Sequence, residues 1–182
     1  MAERARGAVF LDRDNTLVED PGYLHDPALV RLLPGVRDGL QDLSRAGWPL
    51  VLVSNQSGIA RGLFGPEAFA AVNQRLEEVA GLRFAGAYFC PHHPAFTGPC
   101  ECRKPGLVLF RRAAADLGLD LARSWYVGNR GGDALPASAL GGHGVLLTPH
   151  ARPEDVAAVT AAGLATAADF RQVVSAILAQ VP

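Results

Sequence analysis

Ala8-Val9-Phe10-Leu11-Asp12-Arg13-Asp14-Asn15-Thr16 carries two carboxylates one residue apart, just where a short apolar run gives out. Apolar residues in a row, without the alternation of a strand that has one wet face, suit a strand buried on both faces, as in a parallel sheet. With a strand over Gly7 to Leu11, Asp12 and Asp14 fall beyond its carboxyl end, the edge at which open parallel sheets bind ligands. One carboxylate there can attack phosphorus while the other moves a proton, which divides one difficult hydrolysis into two displacements. Asp-x-Asp alone also reads as a polar turn after a strand, so the rest of the chain decides.

Outward from this stretch, short apolar runs alternate with amphipathic ones, the pattern of an α/β domain on a parallel sheet. Further strands are predicted at Pro49 to Val53, Ala85 to Phe89, Ser124 to Val127 and Gly144 to Leu147. Helices are predicted at Val36 to Ala46, Pro66 to Ala80, Leu107 to Leu117 and Ala134 to Leu140, with a last one at about Ala168 to Ala179. Gly47, Gly81 and Gly118 are their natural stops. The alanine-rich stretch after Ala151 reads as generic helix composition. Two segments break the alternation. Residues 18–34 place Gly, Pro, Tyr and His between the first strand and first helix and are read as a flap over the strand ends; residues 90–105 form a proline-rich loop that holds every cysteine.

The length of 182 residues suits one domain, taken as 1–182, because no stretch has a linker's composition. With 17 basic against 18 acidic residues there is no cationic excess of the kind nucleic-acid binding uses. The charged start Met1-Ala2-Glu3-Arg4 leads into an apolar run too short for a signal-peptide core, and no stretch is long enough for a membrane helix. The expectation is a cytoplasmic monomer with no membrane or nucleic-acid partner.

Three clustered cysteines beside two histidines favour a metal over disulfides. Cys90-Pro91-His92 and Cys100-Glu101-Cys102 each place ligands at alternate positions, which project to one side of an extended segment. Four such ligands make a Cys₃His set, the closed tetrahedral shell of structural zinc. On sequence alone His93 competes with His92 for the fourth position. His143 and His150 have no partner at ligand spacing and are read as structural or surface residues.

Asp12-Arg13-Asp14-Asn15-Thr16 resembles the first motif of the haloacid dehalogenase superfamily, normally Asp-x-Asp-Gly-Thr. More follows in the family's order: Ser54-Asn55-Gln56-Ser57-Gly58-Ile59-Ala60-Arg61-Gly62, then Cys102-Arg103-Lys104-Pro105, then Gly128-Asn129-Arg130-Gly131-Gly132-Asp133. Ordered motifs are more specific than any one of them. The set is similar to the branch of heptose bisphosphate and histidinol phosphatases, over about Gly7 to Leu147. The resemblance implies a Rossmann-like parallel sheet flanked by helices, with a small flap, a zinc loop and no large cap domain.

It further implies a Mg²⁺-dependent phosphomonoesterase working through an aspartyl-phosphate. Asp12 becomes the nucleophile, Asp14 the acid/base, and Ser54 and Lys104 the holders of the phosphoryl group. Asp20, Gly22, Tyr23, Asn55, Gln56, Arg103 and Arg130 become substrate contacts. The branch assigns Mg²⁺ to Asp12, the Asp14 backbone, Asn129 and Asp133, and zinc to Cys90, His92, Cys100 and Cys102. Gln56 to Gly62 and Cys90-Pro91-His92-His93-Pro94 favour the heptose enzymes, which remove the 7-phosphate of D-glycero-D-manno-heptose 1,7-bisphosphate on the way to nucleotide-activated heptose. Histidinol phosphate or another sugar phosphate is the alternative. Asn129 stands where the family usually has aspartate, which removes one negative charge from the Mg²⁺ site. A weakly active or inactive phosphosugar-binding protein therefore stays open as a reading of another class.

Overall fold

The computed structural model describes residues 5–180; the charged start at Met1 to Arg4 and the terminal Val181 and Pro182 lie outside them. Six strands form one parallel sheet: β1 (Val9–Leu11), β2 (Leu50–Asn55), β3 (Gly86–Cys90), β4 (Trp125–Gly128), β5 (His143–Leu147) and β6 (Ala165–Ala167), in the order β3-β2-β1-β4-β5-β6. Leu11 pairs with Leu52 on one side and with Val127 on the other. The chain therefore runs outward from β1 to β3 and then returns to the other side of β1. That reversal opens the crevice in which sheets of this kind bind ligands, directly beyond Leu11.

Both faces of the sheet are covered, as the unbroken apolar run of β1 requires. Val9 and Leu11 enter one core with Leu52, Val127 and residues of α1 (Val36–Arg45) and α9 (Phe170–Leu178). Ala8 and Phe10 enter the other with Val51, Val53, Phe110 and Tyr126. There Phe10 stacks on Tyr126 at 5.2 Å and meets Phe110 edge-on at 5.4 Å. At Gly39 of α1 an added Cβ would stand 2.7 Å from Val174 and 2.9 Å from Phe170, so glycine allows α1 and α9 their close approach.

The helices between the strands are α2 (Ser57–Ala60), α3 (Pro66–Ala80), α4 (Pro94–Thr97), α5 (Val108–Leu117), α6 (Gly131–Ala134), α7 (Pro136–Leu140) and α8 (Pro153–Ala161). Pro66 opens α3 and left-handed Gly81 (φ 71°) closes it, as expected from the sequence. Two features differ from the expectation. The single helix predicted at Ala134 to Leu140 is two short ones, the second starting at Pro136, where the missing N–H costs least. The alanine-rich stretch holds both α8 and the edge strand β6. Ala-Thr-Ala has little strand preference of its own, and pairing of Val145 with Ala165 sets its conformation. Among the described residues no helix is long and apolar enough to cross a membrane.

Candidate active site

The ends of β1, β2 and β4 and the segment after β3 converge on a cleft of about 490 Å³, a volume suited to a small ligand. Asp12, Asp14, Ser54, Lys104, Asn129 and Asp133 all line it. Lys104 is buried with its ammonium between two carboxylates, 2.8 Å from Asp12 Oδ1 and 2.6 Å from Asp133 Oδ1, and it also donates to the Val53 carbonyl. Burial works to lower its proton affinity, but the two aspartates outweigh that and hold it above the usual lysine range. Burial pushes the Asp12 carboxyl up to about 7; Lys104 opposes the rise, and the charges of Asp133 and Asp14 add to it. The two shifts are compatible, because one ammonium divided between two buried carboxylates leaves negative charge uncompensated.

Asp14 is held by two neighbours: Arg13 grips both of its oxygens, and Gln56 Nε2 donates to Oδ2 at 2.8 Å. The same Gln56 nitrogen donates to Ser54 Oγ at 2.8 Å. With its oxygen occupied in this way, the Ser54 hydroxyl has its proton free to donate into the cleft.

Asn129 is almost fully buried, and its Nδ2 donates to the His150 carbonyl at 3.2 Å. That bond turns Oδ1 inward, where it lies 3.4 Å from Thr16 Oγ1, the same hydroxyl that stands 3.4 Å from Asp12 Oδ2. Two oxygens from β1 and β4 are thus directed to one place. Asp133 Oδ2 accepts the Arg130 backbone N–H at 2.9 Å, and the carboxylate closes over Gly128, where an added Cβ would stand 2.2 Å from Oδ2. Oxygen donors only, with a surplus of negative charge, fit a hard divalent cation such as Mg²⁺.

The second cluster lies beyond β3. Ligand atoms of Cys90, His92, Cys100 and Cys102 all fall within 4.8 Å of one another. His92 Nδ1 is 3.2 Å from Cys102 Sγ, whereas His93 points away and caps α4 by accepting from the Ala95 N–H. His92 is therefore the fourth donor, and the soft Cys₃His set fits structural zinc. Without a metal, burial pushes the Cys90 thiol up to about 12. Zinc binding here must displace protons.

Other residues singled out in the sequence have more local duties. Asn55 bridges the backbone of residue 104, accepting from its N–H at 3.0 Å and donating to its carbonyl at 3.2 Å. Asp20 accepts from the N–H groups of Gly22 and Leu24, both at 3.0 Å, and so shapes the flap. Gly22 and Tyr23 are both at positive φ, and the Tyr23 ring lies at the mouth of the cleft facing the Arg61 guanidinium. Arg103 donates to the His92 carbonyl at 3.2 Å, and Arg130 to the His150 carbonyl at 3.2 Å; both line the cleft. Arg152 and Asp155 also line it. Sequence reasoning missed these two because they follow β5, outside every motif. It also gave no role to Thr16 or Arg13, although a charged residue alternating with two aspartates at a buried strand end signals an internal ion pair.

A HAD-hydrolase-like family model matches residues 101–173, the part that contains Lys104 and the end of β4. Fold and site together define the class as a HAD-like phosphatase. Among curated proteins, the D-glycero-beta-D-manno-heptose-1,7-bisphosphate 7-phosphatase of Haemophilus ducreyi is 42% identical over 142 residues, covering 74% of this chain and 78% of that protein. The enzyme of the same name from Vibrio cholerae is 41% identical over 145 residues, covering 75% and 78%. The chain belongs to this family of HAD-like phosphatases. Among solved structures, the D,D-heptose 1,7-bisphosphate phosphatase of B. bronchiseptica, complexed with magnesium and phosphate, superposes with a TM-score of 0.81 at 28% identity, over 95% of this chain and 98% of that one. A HAD-like phosphatase from Mesorhizobium loti gives 0.80 at 33% identity, over 96% and 87%.

Proposed function

We propose that this chain is a Mg²⁺-dependent phosphatase that removes the 7-phosphate of D-glycero-D-manno-heptose 1,7-bisphosphate. The observation that carries the reading is the placement of the Asp12 carboxylate in a polar cleft, beside Lys104 and on the same wall as Ser54, in a chain with heptose phosphatase relatives. Asp12 is the nucleophile: its oxygen bonds to phosphorus as the bond to the sugar oxygen breaks, and that oxygen takes its electron pair and a proton from Asp14. Water then attacks phosphorus and gives its proton to Asp14, and the bond to Asp12 breaks to restore the carboxylate. Lys104 and the Ser54 hydroxyl supply positive charge and a donor to the phosphoryl oxygens, where charge stabilisation does most of the work. Asp12, the Asp14 backbone carbonyl, Asn129 and Asp133 would hold Mg²⁺, whose contribution is to offset negative charge between nucleophile and phosphate. Arg103 and Arg130, which both line the cleft, suit the anionic ends of a bisphosphate.

Phosphate release from D-glycero-D-manno-heptose 1,7-bisphosphate, measured beside histidinol phosphate in excess Mg²⁺, tests the reading. Clear preference for the heptose is expected; preference for histidinol phosphate would overturn the substrate, and no release from either would favour a binding protein.

Two further results are expected. A proton on Asp12 competes with the cation, so the half-saturating Mg²⁺ concentration should rise as pH falls below about 7, approaching ~10-fold per pH unit. Titrating Mg²⁺ between pH 8 and 5.5 by thermal shift checks this, and a flat response would count against it. Asn129→Asp adds a charge to the cation site but sets a carboxylate oxygen against the His150 carbonyl, 3.2 Å from the present nitrogen. The metal-free variant should melt about 2–5 °C lower, while Mg²⁺ should raise its melting temperature more than it raises the wild type's. An equal Mg²⁺ response in both proteins would remove Asn129 from the ligand set.

A further inference from the structure

Arg13 stands between the two aspartates in sequence, and its side chain is fully buried. A buried guanidinium persists only where its charge and donors are met. Nε donates to Asp14 Oδ1 at 2.7 Å and Nη2 to Asp14 Oδ2 at 3.1 Å, a two-pronged grip on one carboxylate. Nη2 also reaches the Leu24 carbonyl of the flap at 3.3 Å and Gln56 Oε1 at 3.2 Å. From α3, Asn73 Oδ1 accepts from Nη1 at 3.3 Å, and the Phe69 ring faces the guanidinium with its centroid 5.2 Å away.

We propose that Arg13 is a positioning residue that fixes the Asp14 carboxylate for proton transfer and ties its position to the flap and to α3. The proposal rests on the acid/base role given to Asp14 above. Two parallel N–H to oxygen bonds set the plane of a carboxylate as well as its place, which a lysine ammonium cannot do. Among the described residues Oδ2 accepts from two donors, Arg13 and Gln56, whereas Oδ1 accepts only from Arg13. Oδ1 is therefore the oxygen with a free lone pair for the travelling proton. In the first displacement that proton passes to the departing sugar oxygen, and in the second the attacking water restores it. Arg13 itself neither gains nor loses a proton.

The test uses leaving groups. A sugar alkoxide must be protonated as it departs, whereas p-nitrophenolate leaves without help, so in the first displacement, followed as single-turnover release of the alcohol or phenol, a defect in proton delivery appears on the first ester and is muted on the second; the second displacement is common to both. Arg13→Lys should lower the single-turnover rate of this release for the heptose bisphosphate on the order of 100-fold, and for p-nitrophenyl phosphate by less than about 5-fold, with substrate affinity little changed. In an Asp14→Asn background the same substitution should cost almost nothing more, because both act on one step. Asn73→Leu, which loosens the guanidinium from behind, should show the same selectivity more weakly. If Arg13→Lys does not fold, the ratio is read from Asn73→Leu and Phe69→Leu. Equal losses on both esters, or a full loss in the Asp14→Asn background, would overturn the proposal. Absence of leaving-group dependence in Asp14→Asn itself would refute the acid/base reading and this inference with it. If the wild type hydrolyses a different primary-alcohol phosphate, only the heptose reading fails, and the ratios are taken on that ester.

Discussion

Asp12→Asn abolishes phosphate release from every ester, p-nitrophenyl phosphate included, with a loss on the order of 10⁴-fold or more, and leaves the fold intact. An amide cannot form the covalent intermediate, and loss of a nucleophile is not recovered by the groups that surround it. Stability separates this outcome from misfolding. The folded state holds the Asp12 proton up to about pH 7, against 3.8 for a free carboxyl, so ionising Asp12 weakens the fold as pH rises through that window. Replacing it by a neutral amide removes the penalty at pH 8, while Lys104 keeps Asp133 and the Val53 carbonyl as partners. The metal-free variant is therefore expected to melt at or above the wild-type temperature at pH 8. Residual activity within about tenfold of wild type would exclude Asp12 as nucleophile.

Cys102→Ser should cost both the zinc and the activity, although the cluster performs no chemistry. Cys102 is followed directly by Arg103 and Lys104, so the cluster anchors the segment that carries the buried ammonium to Asp12 and Asp133. Structural zinc in small peptides contributes at least ~10 kcal/mol. Even a third of that would lower the melting temperature by about 10 °C in a chain of this size. The expected results are zinc content falling from about one ion per chain to below about 0.2 by elemental analysis, a fall in melting temperature of that order, and loss of turnover on all esters alike. Retention of zinc and activity would remove Cys102 from the ligand set. The contrast with Arg13→Lys is diagnostic, since the loop defect ignores the leaving group and the Arg13 defect follows it.

The central strands were legible because β1, β2, β4 and β5 are buried on both faces and so appear as continuous apolar runs. Edge strand β6 was not, because Ala-Thr-Ala acquires its conformation from its neighbour. Motif residues at strand ends were legible as types: Asp12, Ser54, Lys104 and Asp133 meet in one cleft. Their partners were less so. Asn55 and Asp20 read as substrate contacts, yet their amide and carboxylate are engaged with the backbone of residue 104 and of the flap. Hydrogen bonds to backbone leave no mark in side-chain pattern. The choice of His92 over His93 likewise needed the turn into α4, which directs adjacent histidines apart.

The reversal of strand order at β1 also bears on when the site comes into being. Lys104 reaches Asp12 across 92 residues of chain, and Asn129 reaches the Thr16 hydroxyl across 113. No hairpin or single β-α-β unit contains the whole cleft: β1, α1 and β2 bring Asp14, Gln56 and Ser54 together, but the ammonium and the remaining oxygen donors arrive only from later segments. Such long-range closure is slow, because the entropy of bringing distant segments together is lost before any contact repays it. During refolding, turnover should lag behind helix formation and appear only once β4 has docked beside β1, which makes catalysis a late clock for assembly of the sheet.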